Sequence, residues 1–430
     1  MRTIIKNGHI LDPSTNMDEV ADICIEDGVI VKIGKDLTGE NADEVICAKG
    51  KYVMPGFIDL HVHFREPGFE YKETIQTGAM AAARGGYTSV APMPNTKPVI
   101  DSREMVEWLL KKEEEESLVH LLPVGAVTKG QIGTELADIK GMAEAGAKAL
   151  SEDGKSVMDI LVYLEGMKAA KENNLVVLAH CEDKNLVRGG VMNAGAKAEE
   201  LGLKGITNAV EDVITARDIF LANETGVRLH LCHCSTKDSV AMIKLAKEAG
   251  YAVSGEVCPH HFTLADEDIP CDDSNYKMNP PLRSRADVEA LKKGLQDGIM
   301  EVISTDHAPH SAEEKAKSMA ESPFGIVGLE TAFSLSVTEL VEQGYLSKMQ
   351  LVEKMSYNPA KIIGVDKGQL VEGKAADIVI ADFDEEYTID VSKFASKGKN
   401  TPFGGKKVKG RVYQTIVDGK VIYDYTKEVK

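Results

Sequence analysis

The middle of the chain is an alternation. Eight runs rich in Val, Ile and Leu, at 57–63, 87–93, 118–125, 147–152, 175–180, 228–233, 252–257 and 300–305, are separated mostly by longer Ala/Glu/Lys-rich stretches of helical period. Examples of the latter are REMVEWLLKKEEEE at 103–116 and VAMIKLAKEAG at 240–250. Strand and helix alternating eight times predict an α/β fold, a parallel (β/α)8 TIM-like barrel. An open doubly wound sheet is the rival. No GxGxxG follows the early strands, which weakens a dinucleotide-binding version of it.

The two ends read differently. Residues 1–54 hold short β-like runs, Thr3–Ile5, Ala21–Ile25, Val29–Ile33 and Glu44–Cys47, bounded by turn signals such as NG at 7–8 and DG at 27–28. Residues 368–430 repeat the pattern with ADIVIADF at 376–383 and RVYQTIVDGKVIYD at 411–424. Each end is too small for its own core. They are expected to pair into one β-sandwich domain flanking a barrel at 55–367.

Hydrophobic residues make up 43% and charged residues 27%, ample for a large core. The net charge of −18 repels phosphate backbones and anionic lipid, which argues against nucleic-acid or membrane binding but not against a small anionic substrate. No run reaches the ~18–20 apolar residues of a membrane span, and the first residues, MRTIIKNGHILDPSTNMDE, do not read as a signal peptide. Seven scattered cysteines without a CxxC pair suit reduced thiols and a cytoplasmic location.

The histidines carry the chemistry. His61 and His63 are two apart at the C-terminal end of the first strand, so they share a face where barrel active sites form. His180 ends the fifth strand and His233 the sixth; Asp153 closes the fourth and Asp306 the eighth. Six nitrogen or oxygen ligands at one rim are economically divided as three for each of two metals. The His/carboxylate set suits zinc, with manganese, cobalt or iron as substitutes.

Bland readings apply elsewhere. Cys232 and Cys234 have the opposite parity to His233 and are expected to be small core residues against the helices. His230 has the wrong parity for the site, His120 begins a strand and so sits at the wrong end, and His260 and His261 rank as outer-shell residues. His9 carries no signal.

The sequence resembles the class I dihydroorotases of the amidohydrolase superfamily, in their bacterial form. The resemblance is carried by PGFIDLHVHFREPG at 55–68, APMPNT at 91–96, HCED at 180–183, CHCS at 232–235, EVCPHH at 256–261, YKMNPPLR at 276–283 and STDHAPHSAEEK at 304–315, and it spans almost the whole chain. It implies a binuclear zinc site, with His61, His63 and Asp306 on one ion and His180 and His233 on the other. Many superfamily members bridge the ions with a carboxylated lysine on the fourth strand. The bacterial class I branch is similar in using an aspartate, so the resemblance gives the bridge, shared with a hydroxide, to Asp153, which ends this strand. Lys148, five residues earlier and of opposite parity, is the rival. Asp306 would take the proton from the attacking oxygen and return it to the departing nitrogen. Arg65, on the parity of His63, suits bidentate capture of a substrate carboxylate. The resemblance adds Asn95 and His310 to that pocket, with His63 in contact with substrate. It gives Asn279 and the main chain of Phe324 and Gly325 to the ring. The polar stretch 308–322 is expected to form a lid.

The implied activity is the reversible closure of N-carbamoyl-L-aspartate to (S)-dihydroorotate in de novo pyrimidine synthesis, by a homodimer able to associate with aspartate transcarbamoylase. Two rivals stand beside it. An allantoinase or hydantoinase/dihydropyrimidinase would share barrel and metals but lacks a reason for Arg65 and the APH motif. A non-catalytic scaffold would have lost ligands, and all six positions are intact.

Overall fold

The structure is a computed structural model that describes residues 1–37 and 41–428. Five strands come first: β1 (Arg2–Asp12), β2 (Met17–Glu26), β3 (Val29–Gly34), β4 (Glu44–Cys47) and β5 (Tyr52–Pro55). Next are β6 (Phe57–Val62), α1 (Ile75–Gly85), β7 (Tyr87–Pro92), α2 (Arg103–Glu116), β8 (His120–Leu121), β9 (Val124–Ala126), α3 (Ile139–Ala145) and β10 (Ala149–Ser151). The chain continues with α4 (Ile160–Glu172), β11 (Val176–Ala179), α5 (Lys184–Val187), β12 (Met192–Asn193), α6 (Ala196–Leu201), β13 (Gly205–Ile206), α7 (Ala209–Thr225) and β14 (Leu229–Leu231). Then follow α8 (Lys237–Glu248), β15 (Val253–Val257), α9 (Pro259–Thr263), α10 (Arg285–Gln296), β16 (Val302–Ile303) and α11 (Ala312–Lys315). After further helical turns, β17 (Ile378–Thr388), β18 (Lys407–Val417) and β19 (Lys420–Asp424) complete the sheets.

All eight predicted strand runs contain parallel strands. Six strands lie in the order β16-β15-β14-β11-β10-β9 and three in the order β6-β7-β8. β8 and β9 occupy one predicted run, 118–125, which is divided at Leu122 and Pro123. Leu122 donates its N–H back to Val90 O at 2.8 Å, whereas the Pro123 carbonyl accepts from Lys148 N–H at 2.8 Å. Proline has no N–H to give, so the run leaves one ladder and joins the other at this residue. At the opposite margin Val62 forms a parallel bridge with His307, and His63 N–H donates to His307 O at 2.8 Å. The two ladders therefore meet on both sides.

β12 and β13 pair with each other, and both chain ends build the largest sheet, in the order β19-β18-β17-β5-β1-β2-β3, with β4 also on β1. The first half of β1 pairs with β4 and the second half with β5, both parallel. β5 in turn takes β17 as an antiparallel neighbour, Pro55 opposite Ile378. The buried cluster inside it is dominated by isoleucine, including Ile5, Ile10, Ile23, Ile30, Ile378 and Ile416. Branched side chains of this kind fit a pleated surface, and each contributes about 1.5–3 kcal/mol when fully buried. Only Gly56 separates β5 of this sheet from β6, and its N–H donates to Asp377 O at 2.9 Å.

Candidate active site

The strand ends deliver the six expected ligands to one place. The Asp153 carboxylate is the hub. Its Oδ1 lies 3.2 Å from His61 Nε2, 3.1 Å from His180 Nδ1 and 3.4 Å from His233 Nε2, and its Oδ2 lies 3.4 Å from His63 Nε2. Asp306 Oδ1 sits 3.2 Å from His63 Nε2 and 3.6 Å from His61 Nε2. His180 Nδ1 and His233 Nε2 approach to 2.8 Å. All six residues are buried. Lys148 is half-buried, with its backbone N–H committed to Pro123.

The backbone at the rim is unusual. His233, Asp306 and Arg65 all have positive φ, at 35°, 49° and 64°. Side-chain-bearing residues seldom adopt this region, and such positions cluster at functional sites. In each case a strand has just ended and the chain turns sharply.

Electrostatics shows what the cluster would hold. Burial favours a protonated Asp153, yet the surrounding imidazoles, His61 and His180 foremost, keep its pKa well below the usual range. Burial likewise opposes ionisation of Asp306, but His63 and His61 bring its pKa down to about 2. Burial disfavours charged imidazoles too; Asp153 nevertheless holds His61 well above its ordinary value, and Asp153 with Glu182 lifts His180 to about 10. The buried carboxylates thus demand positive charge at the centre. Divalent cations on neutral imidazoles would supply it, displacing those protons. His61 Nε2, which faces Asp153 and Asp306, is buried with no hydrogen-bond partner among the described residues and is available as a ligand atom. At His180 the atom turned to the cluster is Nδ1. The donor set fits a metal centre.

Sequence reasoning missed part of the support. Glu256 on β15 is fully buried and takes His61 Nδ1 at 3.2 Å, His230 Nε2 at 3.0 Å and the His233 backbone N–H at 3.1 Å. A carboxylate on the outer nitrogen of a ligand histidine fixes its tautomer and ring orientation. His230 is packed, as its parity suggests, with its other nitrogen 2.8 Å from Ser254 Oγ. Cys234 packs in the same cluster as Ile214 and Ile243 of the flanking helices, as expected. Cys232 does not: it lies in the cluster with Ile58, Leu60, Leu178 and Val302, within reach of His61 and Glu256. His120 lies away from the rim, among Glu113, Asp377 and Asp418. His261, on α9 next to the rim, holds Pro280 O at 2.9 Å.

A cavity of about 200 Å³ opens on the cluster and is lined by His63, Arg65, Asn95, Asp153, His180, His233, Asn279, Asp306, Phe324 and Gly325. Asn95 Oδ1 is 3.0 Å from His63 Nδ1, so the Asn95 amide nitrogen is left for another acceptor. The Asn279 amide donates to Glu182, a carboxylate 3.9 Å from His180 that sequence reasoning passed over. Arg65 Nε donates to Pro309 O at 3.2 Å, and its guanidinium lies 3.3 Å from His310 Nε2. It has no ion-pair partner among the described residues. His310 stands one step behind the cavity wall and pairs its Nε2 with Phe324 O at 2.8 Å and its Nδ1 with Lys72 Nζ at 3.2 Å. Burial, with Arg65 and Lys72 adjacent, lowers its pKa to about 2, so it is a neutral imidazole. The stretch expected to form a lid is pinned: Lys315 Nζ donates to the carbonyls of Lys277, Pro323 and Gly325, and the Met319 N–H donates to Asp272.

Comparison with known proteins gives the family. Residues 50–239 match the family model described as Dihydro-orotase-like, and residues 320–423 match that of the Amidohydrolase family. A dihydroorotase from Acetivibrio thermocellus is 48% identical over 97% of this chain and 98% of its own length. One from a Geobacillus species is 50% identical over 100% of both. Among solved structures, the L-hydantoinase (dihydropyrimidinase) of Arthrobacter aurescens superposes with a TM-score of 0.88 at 28% identity, covering 98% of this chain and 96% of that one. With full-length identity near one half and the histidines and carboxylates gathered at one rim, the chain belongs to the dihydroorotase family of amidohydrolases.

Proposed function

We propose that the chain interconverts N-carbamoyl-L-aspartate and (S)-dihydroorotate, as a dihydroorotase of pyrimidine biosynthesis. The observation that carries the substrate is Arg65: a guanidinium without a carboxylate partner among the described residues, facing a small cavity beside the metal-ligand cluster. Dihydroorotate brings a carboxylate that completes it. Hydantoins and dihydropyrimidines, the compounds in the name of the solved L-hydantoinase (dihydropyrimidinase) above, lack that group.

In this reading the eight staves form one closed (β/α)8 barrel at 55–367, with a β-sandwich domain from 1–54 and 368–430. His61, His63 and Asp306 would hold one zinc ion and His180 and His233 a second, with Asp153 between them. When bound, such ions polarise the amide carbonyl and make water nucleophilic near neutral pH. Arg65 and the free Asn95 amide orient the substrate carboxylate, and His310 stiffens that wall through Phe324. Asn279 and the main chain at Phe324 and Gly325 meet the ring. Asp306 is ionised, so it can accept the proton of the attacking oxygen and pass it to the departing ring nitrogen. Ring closure runs the same transfers in reverse.

The proposal extends to a cytoplasmic enzyme, supported by seven cysteines that are all free thiols. It also includes a homodimer able to associate with aspartate transcarbamoylase, to be measured by sedimentation of the separate and mixed proteins. The deciding assay follows dihydroorotate, hydantoin, allantoin and dihydrouracil on one preparation of known zinc content. Dihydroorotate should be preferred; preference for any of the others refutes the substrate assignment.

A further inference from the structure

The substrate pocket described above is finished by a stretch far from the strand ends that carry the ligands. Between β17 and β18 the chain runs as a strap over the loop that follows Asp306, and Asn400 is its central contact. Asn400 is 4% exposed. Its Oδ1 accepts the His310 N–H at 3.0 Å, and its Nδ2 donates to Ala308 O at 3.1 Å and to Gly325 O at 2.9 Å. Its carbonyl also accepts from Val327 N–H at 2.9 Å. One side chain therefore ties the loop 308–310, which reaches the cavity at Ala308, to Gly325 on the same wall. Pro309, gripped between Ala308 and His310, supplies the carbonyl that holds Arg65 Nε.

The strap is itself anchored. Glu330 accepts the N–H groups of Ala395 and Ser396 at 2.8 and 3.2 Å. Glu73, which also faces His307, accepts the Lys397 N–H at 3.1 Å and the Ser396 hydroxyl. Gly398 presses directly on the loop: a Cβ added there would stand 2.6 Å from Pro309 Cβ and 2.9 Å from its Cα. No other residue type fits that contact without moving Pro309.

We infer that Asn400 is a positioning residue for substrate recognition, setting the carbonyl of Pro309 and the turn at Gly325 so that Arg65 points at the substrate carboxylate. The inference rests on the reading of Arg65 given above. Asn400 touches neither substrate nor ligand residues, so it acts on binding through Arg65 and not on the proton transfers.

Two variants test it. Asn400→Asp keeps the acceptor for His310 and replaces both donated bonds with a carboxylate oxygen facing two carbonyls. Gly398→Ala keeps every hydrogen-bonding group but crowds both Pro309 and Asn400 Oδ1, the latter at 2.9 Å from the added Cβ. It therefore disturbs the same brace and decides the matter if Asn400→Asp does not fold. Both are assayed with dihydroorotate, with zinc content and melting temperature taken on the same samples. The expected result is a KM raised about tenfold or more, kcat within about threefold of the parent, and undiminished zinc. A folded variant whose KM stays within about twofold overturns the inference, as does a fall in kcat at unchanged KM. A parent enzyme that does not turn over dihydroorotate at all overturns the substrate reading instead.

Discussion

Arg65 combines a positive φ, a carbonyl on one nitrogen and a cavity before the rest of its guanidinium. Substituting Arg65→Met retains the aliphatic stem and deletes the charge. Turnover of dihydroorotate should fall by about 10²-fold or more in kcat/KM, the loss of a charge-assisted bidentate pair, while zinc content is unchanged. Metal analysis beside the kinetics checks this, and a zinc-depleted variant would place Arg65 in the metal support. His120 offers a different residue-scale test. Burial opposes its charge, but Asp377 and Glu113 raise its pKa from 6.5 to about 9. The raised folded value means the stabilisation is fully present below about pH 6.5 and is lost as pH rises through about 9. The urea midpoints of the parent and His120→Asn should therefore differ at about pH 6 and converge above about pH 9.5. At this scale the convergence of the six candidate ligands was legible because strand parity and strand ends are local properties. Glu256 and Asn400 were not, since a lone Glu inside a β run and a lone Asn in a loop acquire partners only through the tertiary fold.

Gly56 shows how tightly two elements can be joined. β5 belongs to the terminal sheet and β6 to the parallel strands, and a Cβ at Gly56 would lie 2.2 Å from the buried Thr88 side chain of β7. Gly56→Ala should lower unfolding free energy by about 1–3 kcal/mol through overpacking, measurable as a reduced denaturant midpoint at unchanged slope. An unaltered midpoint would show that Thr88 can turn aside. Element type was readable from the sequence because the Val/Ile/Leu runs are strong and evenly spaced. Their lengths were not: the run at 300–305 forms only Val302–Ile303 as regular strand, and the run at 118–125 divides at Pro123. The hairpin β18–β19 turns at Asp418–Gly419, where a DG pair announces it. β5 has no turn chemistry of its own to separate it from β6, and its place beside β17 depends on a residue pairing more than three hundred positions apart.

For the whole molecule, the candidate metal-ligand cluster couples distant strands. Four strand ends, those of β6, β10, β11 and β14, meet at Asp153, and the end of β16 joins them through Asp306 and His63, so ion binding should stabilise the parallel strands together. Stripping the protein with a chelator is expected to lower its melting temperature by several degrees, and restoring zinc should reverse the change. Binding at a hundredfold excess over Kd supplies about 2.7 kcal/mol. Calorimetry with and without chelator measures it, and an unchanged transition would mean that the cluster is not a metal centre. The strap between β17 and β18 has a further consequence for biogenesis. During translation every proposed metal ligand has been synthesised once Asp306 is made, yet the brace on the Pro309 loop and the partner of β5 are still unsynthesised. A nascent chain arrested short of residue 394 should therefore be able to capture zinc before it can recognise dihydroorotate, so that competence for substrate is the last property translation confers.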